Sequence, residues 1–212
     1  MTSGGRQRLN RRIAPAVVGV ETEICPILVM RTKRRDGGGA MRRVRYAVVA
    51  SLDGYIAGPK GETDWIIRDP TVDFTAIVKQ FDTLLVGRRT FEPMARAGRT
   101  TMPGMKTLVF SQMLRQSDYP EVTVIADRPE ETVSALRADP GKDIWLFGGG
   151  LLFRTLLAAG LVDAVEVTLM PVLLGGGIPL LPPPANQANL KLTGHKVRET
   201  GLVSLEYAVC AA

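Results

Sequence analysis

The chain has 212 residues, 45% of them hydrophobic, which suits one domain built on a single well-buried core. The formal net charge is +6, but residues 1–45 hold 11 Lys and Arg against 3 Asp and Glu, so the positive excess belongs to the N-terminal segment. The composition therefore does not favour nucleic-acid binding by the domain. It also excludes a membrane span, because no apolar run reaches the roughly 18 residues that one needs.

Residues 1–40 are predicted to be a basic N-terminal extension, disordered or folded as a loose hairpin, and residues 41–212 the folded domain. A Gly-rich stretch from Asp36 to Ala40 separates the two. Binding of an acidic partner, including nucleic acid, by the extension is the alternative. Cys25 and Cys210 have neither metal-site spacing nor a disulfide framework, which favours a cytoplasmic location.

The domain opens with Tyr46 to Ala50, a short apolar run typical of a buried strand. Asp53 follows beside Gly54, where its side chain can bond the backbone of a turn. The first helix is predicted to begin with Thr71 as N-cap. Asp73 then lies in its first turn, where the helix dipole favours a carboxylate.

Strands and helices alternate through the middle of the chain. Strands are predicted over Thr83–Val86, Thr107–Phe110, Val122–Ala126, Ile144–Phe147 and Asp163–Leu169, with helices opening at Arg88, covering Pro129–Ala138 and following Gly150. This alternation predicts an α/β fold with a mostly parallel sheet. Lys191–Val197 and Leu202–Val209 are predicted to close it as an antiparallel pair, because only a short turn separates them.

Three predicted strand ends carry groups suited to anions. These groups are Gly148–Gly150, Gly87–Thr90 with its two arginines, and Ser111–Gln112. Ligands of open parallel sheets bind outside the carboxyl ends of the strands, so the three groups predict a ligand with two or more phosphates, such as a phosphorylated dinucleotide. There are alternatives to anion binding. The glycines could simply form a tight connection between a strand and a helix, and the arginines could lie in solvent at the start of a helix.

A carboxylate beside a hydride donor could supply the proton that reduction of a C=N or C=O bond requires. Asp73 is the candidate for this carboxylate, and Trp65 is close enough in sequence to shield it from solvent. The alternative is that Asp73 is an ordinary acidic residue at the N-terminus of a helix. Asp53, Trp65 and Asp73 are the candidate substrate contacts. His195 is the only histidine, so neither a histidine triad nor a His/Cys metal site is expected.

Five motifs together resemble the dihydrofolate reductase superfamily, and most closely the reductase domain of the bifunctional riboflavin-biosynthesis deaminase-reductase and its stand-alone relatives. They are SLDGYIAG (51–58), DTLLVGRRTFE (82–92), LVFSQ (108–112), WLFGGGLLF (145–153) and EVTLMPVLLGGGIPLL (166–181). The resemblance implies a dihydrofolate-reductase-like three-layer α/β fold, NADPH as cofactor, a homodimer, and hydride transfer to a pterin- or pyrimidine-type substrate. The deaminase zinc signature is missing from the sequence, and residues 1–40 lie outside the resemblance.

The resemblance also implies roles for single residues. The cofactor-binding set is Ala50, Gly87, Arg88, Arg89, Thr90, Ser111, Gln112, Gly148, Gly149, Gly150 and Leu151. In this set residues 148–151 hold the pyrophosphate, 87–90 hold the adenosine side, and Ser111 and Gln112 lie near the 2′-phosphate. The backbone groups of Ala50 meet the nicotinamide carboxamide. Asp73 resembles the helix-borne acid of dihydrofolate reductases, and Thr168 the threonine that supports it. A non-catalytic nucleotide-binding protein on the same fold is the alternative.

Overall fold

The computed structural model describes residues 41–210. Its strands are β1 (Val44–Ser51), β2 (Tyr55–Ala57), β3 (Phe81–Gly87), β4 (Lys106–Phe110), β5 (Thr123–Ile125), β6 (Asp143–Gly148), β7 (Ala164–Met170), β8 (Ile178–Pro179), β9 (Leu190–Val197) and β10 (Val203–Val209). Its helices are α1 (Phe74–Val78), α2 (Arg88–Arg96), α3 (Pro129–Ala138) and α4 (Gly150–Ala158), with a 3₁₀ turn at Gln116–Asp118. The predicted extension, residues 1–40, lies outside the described residues.

One eight-stranded sheet organises the domain, in the order β5-β4-β3-β6-β1-β7-β10-β9. The pairs from β5 to β7 are parallel, whereas β10 runs antiparallel to both β7 and β9. The prediction of a mostly parallel sheet with antiparallel C-terminal strands is therefore confirmed. The short β2–β8 pair was not predicted.

The sheet has an apolar core on each face, which makes the fold three layers. On one face α3 and α4 pack over β1 and β6, with the ring of Tyr46 stacked on Phe153 at 3.8 Å between centroids. On the other face α1 and α2 cover β3 and β6, where Phe81 and Trp145 stack at 5.0 Å. Each large apolar side chain buried this way stabilises the fold by about 1.5–3 kcal/mol.

The first helix begins later than predicted. Its N-cap is Asp73, whose carboxylate accepts a hydrogen bond from Ala76 N at 2.9 Å, so the predicted N-cap at Thr71 is wrong. Thr71 is occupied elsewhere, because its amide and hydroxyl both donate to Asp69 Oδ1 at 2.8 and 2.6 Å. Those bonds form a separate turn before the helix, in which Val72 N donates to Asp69 O.

Ion pairs hold the amino-terminal edge of the sheet, opposite the strand ends that carry the glycines. Buried Arg42 pairs with Asp82 and donates to Thr83 Oγ1 at 2.7 Å. Arg137 pairs with Asp163 at 2.7 Å. Across residues 41–210, no helix is long and apolar enough to cross a membrane.

Candidate functional site

A single long cleft runs along the carboxyl ends of the parallel strands and over the face of the sheet that α1 partly covers. Its volume is about 1740 Å³, more than the roughly 300–1000 Å³ of an ordinary small-molecule pocket. The cleft is therefore large enough for a cofactor and a substrate side by side. Ten of the eleven predicted cofactor residues line it, namely Gly87, Arg88, Arg89, Thr90, Ser111, Gln112, Gly148, Gly149, Gly150 and Leu151.

Two helices begin at the same point of this cleft. Gly87 is the N-cap of α2 and Gly149 the N-cap of α4, and neither helix start has a side-chain capping bond. A methyl group on Gly149 would lie only 3.5 Å from Gly87 Cα, so the two helix starts nearly touch. The first amides of both helices thus lie close together and have no side-chain capping acceptor, and both dipoles favour negative charge at this place.

The glycines keep this place open. A methyl group on Gly148 would come 3.1 Å from Thr90 Oγ1, and one on Gly150 would come 2.7 Å from Pro182 Cδ. Gly149 has φ +92°, which larger residues rarely adopt. The backbone can therefore approach a ligand closely, and the donors present fit a pyrophosphate.

The two arginines at the start of α2 have different surroundings. Arg88 Nη1 pairs with Glu92 Oε1 at 2.9 Å within the same helix. Arg89 is exposed and makes no ion pair within residues 41–210. Nearby, Ser111 Oγ accepts from the amides of Met113 and Leu114 at 3.1 Å, which fixes the turn after β4. Arg89 is thus the more available cation for a phosphate at this end.

The end of β5 contributes residues that sequence reasoning missed. Ala126, Asp127 and Arg128 line a smaller pocket of about 290 Å³ that shares Ser111 and Gln112 with the long cleft. The signal was present, since 125–129 repeats the pattern of a strand end followed by charged residues and a helix. It was weak because β5 has only three residues.

Ala50 is the one predicted cofactor residue that does not line the cleft. It is fully buried in β1, opposite Leu169 in β7. The predicted contact was with its backbone, and the preceding residues Val48 and Val49 do line the cleft.

Asp53 holds two loops together. Its carboxylate accepts from Ser51 Oγ at 2.6 Å and from the amides of Leu174 and Gly175 at 3.1 and 2.7 Å. The Ser51 hydroxyl and then these amides lower the pKa of Asp53. The structure therefore places Asp53 as a link between the loop after β1 and the loop after β7, outside the residues that line the cleft.

Asp73, Trp65 and Thr168 are not brought together. Asp73 is exposed and caps α1, and Trp65 donates its indole N–H to Glu62 O at 3.1 Å in the preceding loop. Neither lines the cleft, whereas Thr168 does, and its hydroxyl lies 3.0 Å from Ser204 Oγ. The partner of Thr168 is thus Ser204 on the neighbouring strand, whereas the carboxylate of Asp73 is engaged by the amide of Ala76.

The half of the cleft beyond β1 has an apolar cover and a polar floor. The cover consists of Ile66, Ile67, Val72, Phe74 and Ile77. The floor includes Arg45, which donates two hydrogen bonds to Glu166, from Nε to Oε1 at 2.5 Å and from Nη2 to Oε2 at 2.8 Å. This half suits a planar ring with polar edges.

Asp69 fixes the cover to the β9–β10 turn. Thr200 Oγ1 donates to its carboxylate at 2.5 Å, in addition to the two bonds from Thr71. These bonds, led by that from Thr200, lower the pKa of Asp69 to about 2. Asp69 therefore stays ionised and cannot supply a proton near neutral pH. In the described part of the chain, no group of three or more His, Cys, Asp or Glu could hold a metal ion.

The layered fold and the cleft define an α/β protein of the dihydrofolate-reductase type. Residues 42–204 match the RibD C-terminal domain, and the chain belongs to this family. The resemblance inferred from the motifs is confirmed. YyaP of Bacillus subtilis, an uncharacterized protein, is 35% identical over 178 residues, or 78% of this chain and 94% of YyaP.

Solved structures show the same fold. A protein from Shewanella sp. PV-4, assigned provisionally to riboflavin biosynthesis, is 26% identical with a TM-score of 0.67, covering 80% of this chain and 99% of that one. Dihydrofolate reductase from Enterococcus faecalis, solved with NADP(H), is 22% identical with a TM-score of 0.57, covering 79% and 94%. At that identity the second likeness concerns the fold alone.

Proposed function

We propose that this protein is an NADPH-dependent reductase that transfers hydride to a pterin- or pyrimidine-type substrate. The observation that carries the proposal is the meeting of two uncapped helix starts, at Gly87 and Gly149, in a cleft with room for two ligands. Family membership and the Shewanella relative support a role in riboflavin biosynthesis. Reduction of 5-amino-6-(5-phosphoribosylamino)uracil or of dihydrofolate is the specific expectation.

The chain's own residues would bind and orient the cofactor. The amides of 150–151 and 88–89 would hold the pyrophosphate, and Arg89 with Ser111 and Gln112 would hold the 2′-phosphate. NADPH, when bound, supplies the hydride. The cover over the second half of the cleft would press the substrate ring toward the floor and exclude water.

Asp73 is the candidate proton donor. Asp73 is retained from the family resemblance, and its carboxylate would have to turn from the Ala76 amide into the cleft when the substrate binds. Asp69 cannot serve because it stays ionised, and Glu166 is occupied by Arg45. Solvent water at the open mouth of the cleft is the competing source.

The test is loss of NADPH absorbance on mixing with each of the two candidate substrates. The proposal expects multiple turnovers with at least one of them and a much slower reaction with NADH. A matched control is Arg115→Ala, on an exposed surface pair with Asp118, which should react like the wild type. Absence of turnover with both substrates, despite saturable NADPH binding, would contradict the proposed reaction.

A non-catalytic nucleotide-binding protein is the second candidate, and one observation favours it. The predicted acid, Asp73, is exposed and outside the residues that line the cleft. Such a protein would bind NADPH tightly and turn over no pterin or pyrimidine, so the same experiment separates the two functions.

A cytoplasmic homodimer remains part of the proposal, on the family resemblance and the cysteine usage. Light scattering coupled to size-exclusion chromatography should give twice the 23.0 kDa mass of the chain. A mass of one chain at micromolar concentration would contradict the dimer and leave the reductase proposal unaffected.

A further inference from the structure

Lys196 and Arg198, two cations at the edge of the sheet, face the substrate half of the cleft. They are two residues apart and both line the cleft. Lys196 lies opposite Ser204 on β10, and Ser204 lies opposite Thr168 on β7. The polar floor therefore continues across β7 and β10 and ends in positive charge at Lys196 on β9 and at Arg198 just after that strand.

Arg198 differs from Arg45, the other arginine of the floor, in which of its N–H groups have no hydrogen-bond acceptor. Arg45 donates hydrogen bonds from its Nε and Nη2 to the two carboxylate oxygens of Glu166. Arg198 donates from its Nη1 to Thr71, to the carbonyl oxygen at 3.3 Å and to the hydroxyl oxygen at 2.9 Å. Its Nε is buried and has no hydrogen-bond partner among the described residues. Such donors are rare in native proteins and mark a place for a water, ion or ligand.

The geometry of the guanidinium fits an oxyanion. Arginine binds carboxylates and phosphates through two parallel N–H groups, as Arg45 does with Glu166 through Nε and Nη2. The same pair of groups on Arg198 makes no bond to the described residues. Its bonds to Thr71 hold the side chain in position, so little entropy would be lost when an anion binds.

The neighbouring carboxylates do not close this site. Asp69 lies near Arg198, but its oxygens accept from Thr71 and Thr200. Glu206 also lines the cleft, opposite Glu166, and no salt bridge joins it to Lys196 within residues 41–210. Lys196 on β9 and Arg198 just after it are thus available to a ligand.

We propose that Lys196 and Arg198 bind an anionic group of the substrate, either a phosphate or a carboxylate. The identification of that ligand as the substrate rests on the proposed reductase function. Three strands separate β9 from β6, so the anion would lie roughly 19 Å across the sheet from the glycine site. The substrate ring would lie between, beneath Phe74, with its charged end toward β9.

The direct test follows the arginine Nε–H signals by ¹⁵N–¹H NMR while methyl phosphate or acetate is added. Saturating NADPH occupies the other phosphate-binding groups. The Arg198 signal, identified by its loss in Arg198→Lys, should shift saturably with at least one anion. The anion that binds more tightly identifies whether the site binds a phosphate or a carboxylate. No shift with either anion would overturn the proposal.

Two lysine variants supply the matched comparison. Lys196→Met should weaken binding of the preferred anion at least tenfold, because it removes one of the two charges. Lys191→Met removes a lysine of the same strand that does not line the cleft, and should leave the affinity unchanged. Equal affinity in Lys196→Met and the wild type would remove Lys196 from the site.

Turnover provides a separate readout that distinguishes this proposal from the proposed function. For a substrate compared with its dephosphorylated or decarboxylated form, Arg198→Lys should lower kcat/KM at least tenfold for the anionic member only. Equal losses on both members would overturn anion recognition. Failure of the reductase proposal would appear instead as no turnover by the wild type, with the NMR titration still decisive.

Discussion

At the scale of single residues, the adjacent arginines that open α2 show how local pairing divides similar side chains. Arg88 is paired with Glu92 at 2.9 Å, whereas Arg89 is exposed and makes no ion pair within residues 41–210. The sequence alone treats the two as equivalent. The structure makes Arg89 the main candidate for recognising a 2′-phosphate.

Arg89→Ala should therefore reduce the preference for NADPH over NADH roughly tenfold or more, since a hydrogen bond to a charged group is worth about 1.5–3 kcal/mol. Arg88→Ala should have a smaller effect. Dissociation constants for both nucleotides, measured by fluorescence titration, give the ratio. An unchanged ratio in Arg89→Ala would remove Arg89 from the phosphate site.

The variant Asp73→Asn distinguishes a role of Asp73 as N-cap of α1 from a role as proton donor, because asparagine caps a helix about as well as aspartate. The melting temperature should stay close to that of the wild type. If Asp73 donates the proton, turnover should fall at least tenfold while NADPH affinity is retained. Single-turnover NADPH oxidation measures this, and an unchanged rate would assign Asp73 to the cap alone.

At the scale of elements, the start of α4 is fixed by close packing as well as by backbone conformation. A methyl group on Gly150 would lie 2.7 Å from Pro182 Cδ and 3.0 Å from Pro179 O. Gly150→Ala should therefore displace the helix start or the proline loop. Overpacking of this kind typically costs about 1–3 kcal/mol.

The expected result for Gly150→Ala is a lower free energy of unfolding together with weaker NADPH binding, measured by urea denaturation and calorimetry. Gly176→Ala is the control, because a methyl group there meets nothing within 4 Å. Normal NADPH affinity in Gly150→Ala, together with a lower free energy of unfolding, would contradict a displacement of the helix start and would place the displacement in the proline loop.

The link between the cleft cover and the β9–β10 turn should be sensitive to acid. The pKa of Asp69 is lowered from 3.8 to about 2, so its stabilisation is fully present above pH 3.8 and is lost as the pH falls through about 2. The free energy of unfolding of the wild type should exceed that of Asp69→Asn near neutral pH. The difference should shrink between pH 4 and pH 2.

Urea denaturation across this pH range checks the prediction. Asp118→Asn is the matched control, because Asp118 belongs to an exposed pair with Arg115 and such pairs contribute little. A constant difference between the wild type and Asp69→Asn at every pH would show that the ionised carboxylate does not hold the cover.

Sequence patterns predicted elements best where local signals agree. The helix Pro129–Ala138 has its predicted bounds, with proline at its start and two acids in its first turn. The prediction placed the start of α1 too early, because Thr71 belongs to the turn that Asp69 forms. The pair β2–β8 was missed because two- and three-residue strands have no periodicity to detect.

At the scale of the whole molecule, the sequence predicted which strand ends line the long cleft, because parallel strands bring their carboxyl ends to one edge. It could not predict pairs of residues that only the fold brings together. Arg45 with Glu166 and Asp69 with Thr200 are separated by more than a hundred positions. The role of Asp53 as a loop link depends in the same way on distant backbone amides.

The proposed NADPH site depends on the two helix starts at Gly87 and Gly149 jointly holding the pyrophosphate. Isothermal titration of the protein with NADPH, repeated in the presence of inorganic pyrophosphate, tests it most directly. We expect saturable binding at one site per chain, weakened competitively by pyrophosphate. Absence of NADPH binding, or binding that pyrophosphate leaves unchanged, would contradict it.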